Sequence, residues 1–293
     1  MADEDENPQD QPAPTAPEEG APLPPGAVEQ IGFDGIQAPI RRMRTDACWI
    51  AFEPEGARPF IVAPPEMRPE DVRLFVEQRL TSIRQLRDLV LDSYGDSPTH
   101  TCRYRSGDIA YLLGRPFVIE VNALSEQPRG HAKAMRGRTT ITARLHNDLS
   151  LVELNVIKTG DYDQRRNAFN SYAGTILLKN ARGLIPQLLA GKVLSEAAAE
   201  REHPISAGMI QTRPARRPRV IIDEQRHATW VSDRLIPYPI DCLAYATMAA
   251  AADLVLGEGA DPDERTRLIA SGCPGWERAR AALLDEKGPF ARQ

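Results

Sequence analysis

Apolar residues along this chain alternate between a period of two and a period of three to four, and the switches outline an α+β domain. Residues 50–52 (Ile-Ala-Phe) and 60–62 (Phe-Ile-Val) read as short strands joined through the Pro54-Glu55-Gly56 turn. Pro69 suits the first turn of a helix running to about Ser93, with Glu70 and Asp71 favourable at its positive end. Val72, Phe75, Val76, Leu80, Ile83, Leu86, Leu89 and Val90 give that helix one apolar face, which predicts packing against a core. Residues 109–113 and 117–121 predict a strand pair turning at Gly114-Arg115. Two more strands are expected over 139–145 and 149–157, the second alternating through Val152, Leu154 and Val156.

The second half is mostly helical by the same criterion. A helix is expected from Tyr162 to about Ala190, capped by Asp161 or Asp163 and kinked or broken near its end by Pro186. Residues 195–218 read as a loop-rich connector, in which Arg213, Arg216 and Arg217, with Arg219 after them, flank prolines as a charged linker. Residues 219–223 form a short strand. Pro239 then opens a helix that is apolar nearly all round, through Ile240, Leu243, Ala244, Tyr245, Met248, Ala251 and Val255. Such a pattern marks a buried helix.

Composition separates the two ends of the chain. The first 30 of the 293 residues hold seven Pro and eight acidic side chains without one Lys or Arg. A segment of that kind buries too little apolar surface to offset its ordering entropy, so a disordered acidic tail is expected over residues 1–38, ahead of one domain over 39–293. Residues 1–40 carry nine acids, which leaves 36 Lys and Arg against 32 Asp and Glu in the rest. That balance is too mild to argue for a nucleic-acid surface. The basic run of Arg129, His131, Lys133, Arg136, Arg138 and Arg144 has no interleaved aromatic residue other than that His and reads as a solvated hairpin or flexible insertion. Cys48, Cys102, Cys242 and Cys273 form no CxxC pair, and no signal peptide or membrane-spanning run is visible. Free thiols and a cytoplasmic location are expected.

The most telling stretch is residues 235–256, LIPYPIDCLAYATMAAAADLVL. Four blocks, the last of which includes it, resemble the YgjP-like metallopeptidases, a family of small bacterial zincin-like proteins. They are IAFEPEGARPFIVAPP with the helix after it, YRSGDIAYLLGRPFVIEV, the helix around Tyr172, and Trp230 through Ile236-Pro237 and Ile240-Asp241 to Pro274-Gly275-Trp276. No convincing copy of the family's SRWGSC stretch is present. The resemblance implies a zincin-like α+β fold in which an HExxH helix holds zinc with two His and a Glu as general base. The matching positions here are Ala246, Thr247 and Ala250. Of the five His (His100, His131, His146, His203 and His227), no two stand four apart, so the motif is missing in every register.

Other chemistry finds little support in the sequence. Asp253, Glu258, Asp261, Asp263 and Glu264 match no calcium-loop spacing and read as a solvated turn, while His227 could supply one ligand but not a site. There is no G-x-S-x-G, no Cys–His motif and no phosphate loop. The resemblance therefore implies a pseudoenzyme without zinc, whose cleft still docks a peptide or partner protein by strand addition. The alternatives are a metal-dependent hydrolase with ligands outside the motif, or a nucleic-acid-associated factor using the bases of 129–144 and 213–219.

Overall fold

The computed structural model describes residues 29–94, 101–124, 141–199, 204–257, 260–291 and 293. These form an α+β arrangement of three small sheets and seven helices. In the first sheet, β1 (Gln30–Phe33), β2 (Ile36–Arg42), β3 (Trp49–Glu53) and β4 (Arg58–Ala63) lie in the order β1-β2-β4-β3. The expected boundary of the acidic tail at residue 38 is thereby corrected. β1 and the start of β2 fall inside it, and Ile31 and Ala38 are buried. Their few apolar residues suffice because a strand needs only one covered face. Residues 1–28, and the expectation of disorder there, lie outside the described residues.

The single helix expected over 69–93 is two, α1 (Pro69–Glu77) and α2 (Leu80–Tyr94). Between them Arg79 is drawn away to Asp148, at 2.9 Å, and its guanidinium lies 4.0 Å from the centre of the Phe75 ring. Val72, Val76, Ile83, Leu86 and Val90 face a core shared with the first sheet, as their periodicity predicts.

The second sheet holds β5 (Ile109–Leu112), β6 (Arg115–Ala123), β7 (Thr142–His146) and β8 (Leu151–Val156), in the order β5-β6-β8-β7. It is covered on both faces. Ile109, Val118 and Leu151 point into the first core, while Ala110, Phe117, Ile119, Val152, Leu154 and Val156 join a second. Parallel pairing of β6 with β8 explains why these strands read as nearly continuous apolar runs.

The second core is closed by helices. α3 (Tyr162–Leu189) starts at Asp161, whose carboxylate accepts the Gln164 N–H at 3.2 Å. Pro186 does not end the helix. It runs one turn further, and the Ala190 N–H still finds the Pro186 carbonyl at 3.0 Å. The connector expected over 195–218 contains structure of its own, α4 (Lys192–Ala197) and β9 (Met209–Arg213). A third sheet, ordered β10-β11-β9, brings β10 (Val220–Asp223) antiparallel and β9 parallel to β11 (Ala228–Ser232). α5 (Ile240–Leu256) is the hub of this half, packed against α3, β10, α6 (Pro262–Gly272) and α7 (Trp276–Leu284). No helix among the described residues is long and apolar enough to cross a membrane.

Candidate functional site

The position of α5 is fixed from its start. The β5–β6 turn places Leu113 and Gly114 so that their N–H groups donate to the carbonyls of Ile236 (2.8 Å) and Pro237 (3.1 Å), just before Pro239 begins the helix. From there α5 buries Cys242, Leu243, Met248, Ala251 and Ala252, and leaves Tyr245, Ala249 and Ala250 partly open. Those open residues form one wall of a groove of about 560 Å³, with Ala246 and Asp253 beside them and Pro218, Arg219, Val220, Ile221 and Ile222 opposite.

The opposing wall is a sheet edge. Among the described residues, β10 has a strand partner on one side only. The Ser232 N–H donates to the Arg219 carbonyl at 3.0 Å, which sets the phase of the antiparallel ladder with β11. Arg219, Ile221 and Asp223 then exchange backbone bonds with β11, so the N–H and C=O of Val220 and Ile222 face away from β11; Val220 is itself buried, and Ile222 is half-buried. The edge is reachable toward Ile222, and an edge with unpaired backbone groups is a template for another strand.

The positions matching the zinc motif lie at this groove. Ala246 and Ala250 line it, and neither carries a donor atom. Thr247 is fully buried, and its hydroxyl donates to the Leu243 carbonyl at 2.8 Å. These residues do not fit the zinc ion that the resemblance implies for active relatives. Among the described residues, no three His, Cys, Asp or Glu stand close enough to hold a metal ion. His227 sits exposed in the β10–β11 turn, away from the groove lining. The acidic cluster is engaged locally: Asp253 pairs with Arg265 at 2.8 Å, Glu264 lies 3.4 Å from Arg267, and Asp261 caps α6. Glu258, His100, His131 and His203, with most of the basic run from Arg129, lie outside the described residues.

All four thiols are buried and free. Burial pushes Cys48 up to about 11 and both Cys102 and Cys242 up to about 12, and it raises Cys273 as well. Neutral thiols of this kind are poor nucleophiles.

Sequence reasoning missed what adjoins the groove. At the Tyr245 end it opens into a cleft of about 700 Å³, the two sharing Pro218, Tyr245 and Leu283. Five arginines line that cleft: Arg166 from α3, Arg216 and Arg217 from the loop before β10, Arg234 after β11, and Arg280 from α7. Asp233 and Glu286 are the acidic side chains in its lining. The ion pairs among the described residues engage other cations and none of these five. Tyr104, Tyr238, Tyr245 and Phe290 supply aromatic surface between them. Only the Arg216-Arg217 pair was visible as a local signal, and it read as a linker. Comparison with protein-family models, curated proteins and solved structures gives no match for this chain.

Proposed function

We propose that this chain is a YgjP-like scaffold of zincin-like architecture without metal or general base, and that its groove receives an extended segment of a peptide or partner protein. The observation that carries this reading is the juxtaposition of an edge strand with small side chains. Half-buried Ile222, on the side of β10 away from β11, offers backbone groups to an incoming strand, and Ala246, Ala249 and Ala250 leave room for its side chains. A strand added there would gain main-chain bonds from β10 and side-chain pockets from α5.

The test is to pan the full chain with displayed unstructured dodecapeptides and measure the selected ones by fluorescence anisotropy. Affinity should fall at least tenfold in Ala250→Trp, which fills the groove from a partly open helix position. Amide exchange at Val220 and Ile222 should slow when peptide is bound. Equal binding to Ala250→Trp, with unchanged exchange in β10, would place the peptides elsewhere and overturn the reading. So would zinc at one equivalent in protein purified without a His tag or chelator.

A further inference from the structure

We propose that the segment taken up beside β10 is acidic, and that the arginine cleft is where its carboxylates are held. This rests on the strand-addition reading and names the class of occupant. The groove and the cleft are continuous through Pro218, Tyr245 and Leu283, so a strand lying along Val220–Ile222 and continuing past Pro218 runs into the cleft. There it meets Arg216 and Arg217 from the loop, Arg234 from beyond β11, and Arg166 and Arg280 from two helices.

Five arginines from four segments, against two acids, give the lining of one concavity a net positive charge that favours an anionic occupant. A lone surface arginine carries no such implication. Asp233 and Glu286 offset only two of the five positive charges in the lining. Arginine's planar fork suits carboxylates, which it binds in a bidentate manner. A polynucleotide would also be drawn to this charge. The edge of β10 favours a peptide, because it offers a ladder of backbone bonds that no nucleic acid can use.

The experiment uses the full chain and three labelled probes in 50 mM salt: a dodecapeptide of alternating Val and Thr ending in four Glu, the same peptide with Gln for Glu, and a dodecathymidylate. The acidic peptide should bind at least tenfold more tightly than the Gln analogue, with an affinity that falls as salt rises. The double variant Arg216→Glu, Arg217→Glu, at two exposed loop positions, should remove that advantage while leaving the Gln analogue unchanged. Ala250→Trp should weaken both peptides.

Equal affinity for the two peptides, unaltered by the double variant, would overturn the acidic assignment and leave the groove intact. Tighter binding of dodecathymidylate, lost in the double variant, would overturn it in favour of nucleic acid. Acidic-peptide binding that emerges only when Asp3, Glu4, Asp5 and Glu6 are made Asn or Gln would put the chain's own segment in the cleft, and the proposal of a separate partner would fall. No peptide binding in any form would overturn the strand-addition reading itself.

Discussion

Gly114→Ala probes whether the β5–β6 turn and the start of α5 form one rigid seat for the groove. Leu113 and Gly114 both have positive φ, 50° and 80°, the mirror-image turn that favours glycine at its second position. A Cβ added at Gly114 would stand 2.8 Å from Cγ and 2.9 Å from Cα of Pro239. That Cα belongs to the residue preceding α5 and cannot swing aside as a flexible side chain would. Holding alanine in the left-handed region costs about 1 kcal/mol, and relieving the overlap adds about 1–3 kcal/mol. The sum is about 2–4 kcal/mol, or a fall in Tm of about 5–10 °C for a chain of this size. Gly174→Ala is the internal control. In the middle of α3 its Cβ would meet nothing within 4 Å, so a gain of about 0.5–1 kcal/mol is expected from helix propensity. Calorimetry on the three proteins decides the matter. If Gly114→Ala melts within a degree of the parent while Gly174→Ala rises as expected, the turn does not bear on Pro239 and the reasoning fails.

Two further outcomes follow from burial. The thiols are held neutral in the folded chain and have ordinary values when unfolded, so above pH 9 the unfolded state sheds protons that the folded state keeps, and stability falls as pH rises. Cys102, raised to about 12, contributes about 1 kcal/mol of the loss between pH 8 and 10; urea midpoints that fall no less steeply in Cys102→Ala than in the parent would contradict this. Restoring the motif as Ala246→His, Thr247→Glu and Ala250→His should yield no zinc-dependent peptidase activity. The Thr247→Glu change alone puts a carboxylate where a fully buried hydroxyl stands, at a cost of about 2–4 kcal/mol. Measurable cleavage by the triple variant, abolished by a chelator, would refute the expectation.

Local physics was legible in the sequence where the signal was local. The β5–β6 pair announced itself through Gly114, α3 through Asp161, and α5 through an apolar surface with no polar face. What escaped was whatever depends on distant partners. β9 is a strand because β11 lies parallel to it, and nothing in Met209–Arg213 alone declares that pairing. At the break at Gln78-Arg79, Arg79 pairs with Asp148, 69 residues away, a partner no local pattern names. The arginine cleft is the extreme case. Its five members come from four segments between residues 166 and 280, so each reads locally as a solvated charge. The groove was half visible: the missing His and Glu could be counted, but not that Thr247 turns inward while Ala246 and Ala250 face β10.

That geometry sets two demands against each other at one position. If the groove were only an unfilled defect, Ala250→Leu would be a simple improvement. Leucine is nearly as good a helix former as alanine, and its side chain would cover apolar surface left open in the groove lining, that of Ile222 among it, at about 25 cal/mol per Å², a gain of about 0.5–1.5 kcal/mol. The same side chain would fill the space a strand needs beside β10. Ala250→Leu is therefore expected to raise Tm by about 1–4 °C and to weaken peptide binding at least tenfold. Stability gained at the expense of binding is the signature of a site kept open for a ligand. A variant that melts higher and binds unchanged would show that the peptide does not use this groove. One that melts lower would show that the groove has no spare room to fill.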